Sequence, residues 1–295
     1  MPPSASKFVA TRKNPPADNA DKPSRLEAAI DTALTTGSLI ELLDVLDRRS
    51  NLPGTKPNLD FARVVGLAIA SRRGRADGLT RALLGHTSEY PLIVGAQVLA
   101  QRALAGVDTR KAMEQLHDLA GEPRHLVRIG VVSAVRDVVL AKGDDVLPEF
   151  AAWTDGYLHA HVVLEALSDR QVLDKLRSAD ELLARLDEAF VLADESPRAA
   201  ERSQGLRSLR EAMPTQVAVM AARFGEVIDW VERQTSKQRP ETREVVRNMI
   251  AALRKANLKN AEASRLLGAL DATAKPPRNP DRIVEGTRKR SKGRV

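Results

Sequence analysis

PRHLVRIGVVSAVRDVVLAKG, residues 123–143, reads as a single amphipathic helix. Val127, Val131, Ala134, Val135 and Val138 recur at i, i+4, i+7, i+8 and i+11, so a 3.6-residue period places them on one face. Pro123 suits a first turn, and Lys142-Gly143 supplies a cation and then a stop at the other end. Outward from this stretch, a helix is expected from about Asp144 to Trp153. After Thr154-Asp155-Gly156 another carries Leu158, Val162, Val163, Ala166 and Leu167. Upstream, Pro91 opens a similar helix with Leu92, Val94, Val98 and Leu99, and Gly106-Val107-Asp108 separates it from a second helix ending near Ala120. A long helix, a short turn and a shorter helix thus recur roughly every 31–34 residues, starting near Asn58, Pro91, Pro123 and Gly156.

This unit resembles HEAT or armadillo-type repeats, in which Pro-x-x-x-Val-Arg, here Pro123 to Arg128, opens the first helix of a hairpin. RPETREVVRNMIAAL, residues 239–253, carries a similar Val246-Arg247 with Met249, Ile250 and Leu253 behind it. The resemblance implies an all-α fold, a right-handed α-solenoid in which each hairpin buries its apolar face against the next. An irregular helical domain is the competing reading. Gly66, Gly95 and Gly130 lie inside apolar helical stretches and read as points of close helix approach.

The second half is less regular. Asp180–Ala193, Ser196–Glu211 and Pro214–Gln234 read as three successive helices, with Ser196-Pro197 as cap and first residue. A boundary near 177–180 has no linker to mark it, so residues 23–271 are taken as one repeat domain. Residues 1–22 and 272–295 are expected to be disordered arms, because neither holds enough apolar surface to offset the entropy of ordering.

Charge is unevenly placed. The formal net charge is +7, yet residues 275–295 carry +6 and residues 1–23 carry +2, which leaves residues 24–274 at −1. Apolar residues make up 43% of the chain and aromatic ones 3%. The core must therefore be small and aliphatic, and platforms for stacking on bases are scarce. With no cysteine, disulfides, thiolate metal sites and cysteine nucleophiles are all excluded. The apolar runs are too short to span a bilayer, and the first residues lack an apolar signal core. A cytoplasmic protein is the expectation, with nucleoid association or a nuclear location as the alternatives.

Catalytic and metal signatures are weak. His159, His161 and Glu165 form the best local cluster of ligands, but His159 and His161 lie about 200° apart around a helix and do not converge. His161 and Glu165 read as a helix-surface pair, and His86, His117 and His125 stand alone in the sequence. No HExxH, zinc-finger spacing, phosphate loop or nucleophile elbow occurs. No metal, small-molecule cofactor or membrane partner is therefore expected. One enzymatic resemblance survives, to AlkD-like helical-repeat DNA glycosylases acting on alkylated bases. It implies a role for the aromatic-acid cluster around Trp153 and Asp155, whose plainer reading is a core tryptophan and a turn.

Basic residues are the better lead. Arg243, Arg247 and Arg254 fall within about 40° on their helix, and Arg124 and Arg128 form an i, i+4 pair on theirs. Arg288, Lys289, Arg290, Lys292 and Arg294 make a dense cationic run with no apolar face. The expectation is a non-catalytic interaction protein. Its body selects a macromolecular partner, and its basic tail contacts DNA or RNA backbone without reading sequence. A pure protein scaffold is the alternative.

Overall fold

The computed structural model describes residues 24–256 and 258–274. Every regular element among the described residues is helical. The arm 1–22 and the cationic run Arg288, Lys289, Arg290, Lys292 and Arg294 lie outside them. The body expected over 23–271 clusters as two compact units, divided between Val98 and Leu99.

In the first unit, Ser24 Oγ accepts from the Glu27 N–H and caps α1 (Arg25–Thr36), which ends at Gly37 in the left-handed conformation. It is followed by α2 (Ile40–Arg49), α3 (Leu59–Ala70), α4 (Asp77–Leu84) and α5 (Glu89–Leu104), the last crossing the division. Asn58 caps α3 by accepting from Phe61 N at 3.1 Å. Ile30, Leu42, Leu46, Val65, Ile69, Leu83 and Ile93 form the core, each fully buried. A Cβ on Gly66 would come within 2.7 Å of Gln97 Cβ, so α3 and α5 meet almost backbone to backbone, as the glycine's place in an apolar stretch predicts. Gly95 is similarly close to Leu84.

The second unit is built around α7 (His125–Lys142). All five residues of its predicted face are completely buried. The helix stops at Gly143, whose φ of 64° favours a residue without Cβ. Pro123 stands two residues before the helix rather than in its first turn, with Arg124 at the cap. Before α7 runs α6 (Thr109–Ala120), and after it Gly143–Asp155 forms a 3-10 helix where an α-helix is expected. Pro148, inside that stretch, has no N–H to donate to an i−4 carbonyl.

There follow α8 (Tyr157–Leu167), α9 (Arg170–Lys175), α10 (Asp180–Asp194), α11 (Gln204–Ala221), α12 (Glu226–Gln234), α13 (Pro240–Lys255) and α14 (Asn260–Ala272). Here the expected boundaries shift. Ser196-Pro197 leads only into a short 3-10 turn, Arg198–Arg202, and Ser203 is the true cap, its Oγ accepting from Leu206 N. Pro214 lies buried inside α11 instead of opening a helix. Packing is serial: α8 lies against α7 and α11, α11 against α13, and α13 against α14.

Candidate functional site

The five body arginines singled out above are mostly bound within the fold. Arg128 is buried and its Nη1 donates to the carbonyls of Glu122 and Pro123 at 2.6 and 2.7 Å, tying down the turn that precedes its own helix. Burial pushes its guanidinium below the usual range, and the Glu122 charge counters this in part. Arg124 grips the Glu122 carboxylate with Nε at 2.7 Å and Nη2 at 3.0 Å, and this bond holds the acid below its ordinary pKa. Arg243 closes the end of α14, donating to Leu270 O, to Lys237 O at 3.0 Å and to Thr273 Oγ1 at 3.1 Å. Arg247 pairs with Asp271 at 2.8 Å. Arg254 is exposed and has no such partner among the described residues.

A different group of cations is brought together by the fold. Arg170 of α9, Arg223 beyond the end of α11 and Lys255 of α13 line one cleft of about 690 Å³, with Asp174 as its acid. Ala218, Ala222 and Ala252 give it an apolar floor. Lys255 neighbours Arg254 in sequence, so α13 carries a doublet of cations at this end.

A second convergence of titratable groups lies elsewhere in the second unit, at His117, Asp155 and His159. Asp155, the last residue of the 3-10 helix, turns Oδ1 to His117 Nε2 of α6 at 3.0 Å and to His159 Nδ1 of α8 at 2.7 Å. A carboxylate oxygen accepts, so both of these nitrogens carry hydrogen in this arrangement. The two imidazoles lie 4.2 Å apart between ring centres, and His117 meets Trp153 edge to face at 5.4 Å. Burial pushes the Asp155 carboxyl up, but the hydrogen bonds from both histidines outweigh it and hold the group below the carboxylate range. Beside the cluster a cleft of about 760 Å³ is lined by Arg110, Met113, His117, Glu149, Trp153 and Asp155, among others.

Trp153 is buried at 3% exposure and also packs edge to face on Phe150. It is a core residue, and the sliver it contributes to the cleft is too small for stacking on a base. Glu165 is exposed and His161 half-buried: burial lowers the His161 imidazole below its usual pKa and the Glu165 charge counters this in part, while Glu165 Oε2 also accepts from Gln216 Nε2 at 2.7 Å.

No protein-family model, curated protein or solved structure matches this chain.

The His117–Asp155–His159 cluster escapes a sequence reading because its members come from three elements. His117 stands alone on α6, and only the 3-10 geometry of Gly143–Asp155 carries Asp155 to it. A faint signal exists in Asp155 and His159 at i, i+4. Gly121 and Gly156 are a second one, since a Cβ at either would come within 2.7 or 2.6 Å of the His159 ring.

Proposed function

We propose that this is a non-catalytic helical interaction protein that holds polyanions, DNA or RNA backbone, chiefly through residues 275–295. The observation that carries the reading is the partition of charge: +6 in those residues against −1 over residues 24–274. Arg124, Arg128, Arg243 and Arg247 already satisfy internal acceptors, which moves any contribution of the body to Arg170, Arg223, Arg254 and Lys255. The mechanism is electrostatic: each cation that meets a phosphate releases a counterion, so affinity comes without sequence selection. Helix starts at Leu59, Glu89, His125 and Tyr157 support the solenoid reading of the body.

The test is an anisotropy titration of a short labelled duplex with the full chain and with a variant in which Arg288, Lys289, Arg290, Lys292 and Arg294 are all glutamine. The variant is expected to bind at least tenfold more weakly at moderate salt, a loss of about 1.4 kcal/mol or more. Equal affinity would overturn the reading. The glycosylase resemblance gains no support from the geometry, because Trp153 is packed in the core and Asp155 is engaged by two imidazoles.

A further inference from the structure

We infer that His117, Asp155 and His159 form a binding site for a divalent transition-metal ion of the Zn²⁺ class. Each residue offers one ligand atom, and the three atoms all lie within 4.8 Å of one another. Two imidazole nitrogens and one carboxylate oxygen suit borderline cations such as Zn²⁺, Co²⁺ or Ni²⁺, whereas Mg²⁺ and Ca²⁺ select oxygen ligands. The nitrogen-to-oxygen separations are 3.0 and 2.7 Å. Ligands about 2.1 Å from a tetrahedral ion stand roughly 3.4 Å apart, so the ion replaces the shared hydrogens with an opening of about half an ångström.

In the bound form each imidazole carries its hydrogen on the other nitrogen. For His117 that nitrogen is Nδ1, which has the Asp118 carboxylate 3.9 Å away, near enough for an ionic contact but beyond hydrogen-bond reach. The rings are also seated independently of any ion. His159 is held between Gly121 and Gly156, where a Cβ would come within 2.7 Å of Nε2 and 2.6 Å of Nδ1 respectively, and His117 rests edge-on to Trp153. Such fixed rings lose little freedom when they coordinate.

The adjoining cleft favours cations. Glu114, Asp118 and Glu149 join Asp155 in its lining, and its arginine, Arg110, is paired with Glu114 at 2.9 Å. A surface of one sign around a concavity raises the local concentration of the opposite charge. Three protein ligands leave a fourth position for water, which is the arrangement of an open rather than a closed structural site.

The experiment is calorimetric titration of the full chain with ZnCl₂, alongside the variants His117→Ala, Asp155→Asn and His159→Ala and the controls His86→Ala and His125→Ala. One equivalent is expected to bind, each ligand variant to bind at least tenfold more weakly, and the controls to match the parent. Zn²⁺ should raise the melting temperature of the parent and not of the ligand variants. Co²⁺ should give the visible absorption of a low-coordinate N,O site, lost in His117→Ala. Where His159→Ala fails to fold, His117→Gln decides by the same titration, since its ring lines the cleft. Neither heat nor thermal shift with Zn²⁺, or binding that survives all three substitutions, would overturn the assignment.

Discussion

The imidazoles of His117 and His159 stand 4.2 Å apart although 42 positions separate them in the chain, and both turn a nitrogen to the same oxygen of Asp155. One comes from α6 and the other from α8, so the carboxylate joins two helices that α7 separates in sequence. The arrangement depends on what surrounds His159 as much as on its partners.

Gly156→Ala should be costly for a steric reason alone. The φ of −149° at this position is one that any residue adopts, but the new Cβ would sit 2.6 Å from His159 Nδ1. Overpacking of this kind is expected to destabilise by about 1–3 kcal/mol, read as a lower melting temperature by circular dichroism. In a His159→Ala background the same change should cost much less, because the two residues share one space. Additive losses would show that the contact is relieved elsewhere.

Arg243 distinguishes an arginine that builds the fold from one that binds a partner. Its guanidinium donates to Leu270 O, Lys237 O and Thr273 Oγ1, closing the end of α14 onto α13. Arg243→Ala is expected to lower stability by about 1.5–3 kcal/mol, the range for hydrogen bonds to a charged group, and to leave duplex affinity within twofold. A large loss of affinity without loss of stability would return Arg243 to the binding surface.

The acid limb of stability should depend on Asp194. Burial raises its carboxyl pKa, but the Thr242 hydroxyl at 2.6 Å and Lys237 Nζ at 2.9 Å outweigh this and hold it below the usual range. A carboxyl depressed in the folded state binds fewer protons than in the unfolded chain. Its contribution is therefore present above the unfolded pKa, about 4, and lost as pH falls through the lower folded value. Asp194→Asn should flatten the fall in denaturant midpoint below about pH 4, and an unchanged slope would remove Asp194 from that role.

Much of the fold is legible in the chain because helices announce themselves by period. The face Val127, Val131, Ala134, Val135 and Val138 is buried as its spacing predicts, and Val246, Met249, Ile250 and Leu253 are likewise core. Two expected helix starts fail at proline: Pro197 leads only into a 3-10 turn and Pro214 lies inside α11, since local signals do not say whether neighbouring helices supply enough packing to accommodate a missing N–H. The arginines mislead for a related reason. Helical angle reports which residues share a face, but whether a carbonyl or carboxylate of another segment faces them is a tertiary fact. Arg128 shows this: its place in Pro-x-x-x-Val-Arg is visible, whereas its bonds to Glu122 O and Pro123 O appear only when the turn is folded back. The same holds for His117, which meets Asp155 across two elements.

Positive charge in residues 275–295 supplies the polyanion affinity proposed for this chain. The most direct test is the slope of log affinity against log salt concentration for the full chain on a duplex, compared with the chain carrying glutamine at Arg288, Lys289, Arg290, Lys292 and Arg294. The slope should flatten by roughly 0.9 for each of these side chains that contacts phosphate, while Arg128→Gln leaves it unchanged because that guanidinium is buried and donates to Glu122 O and Pro123 O. An identical slope in the two chains would contradict the claim.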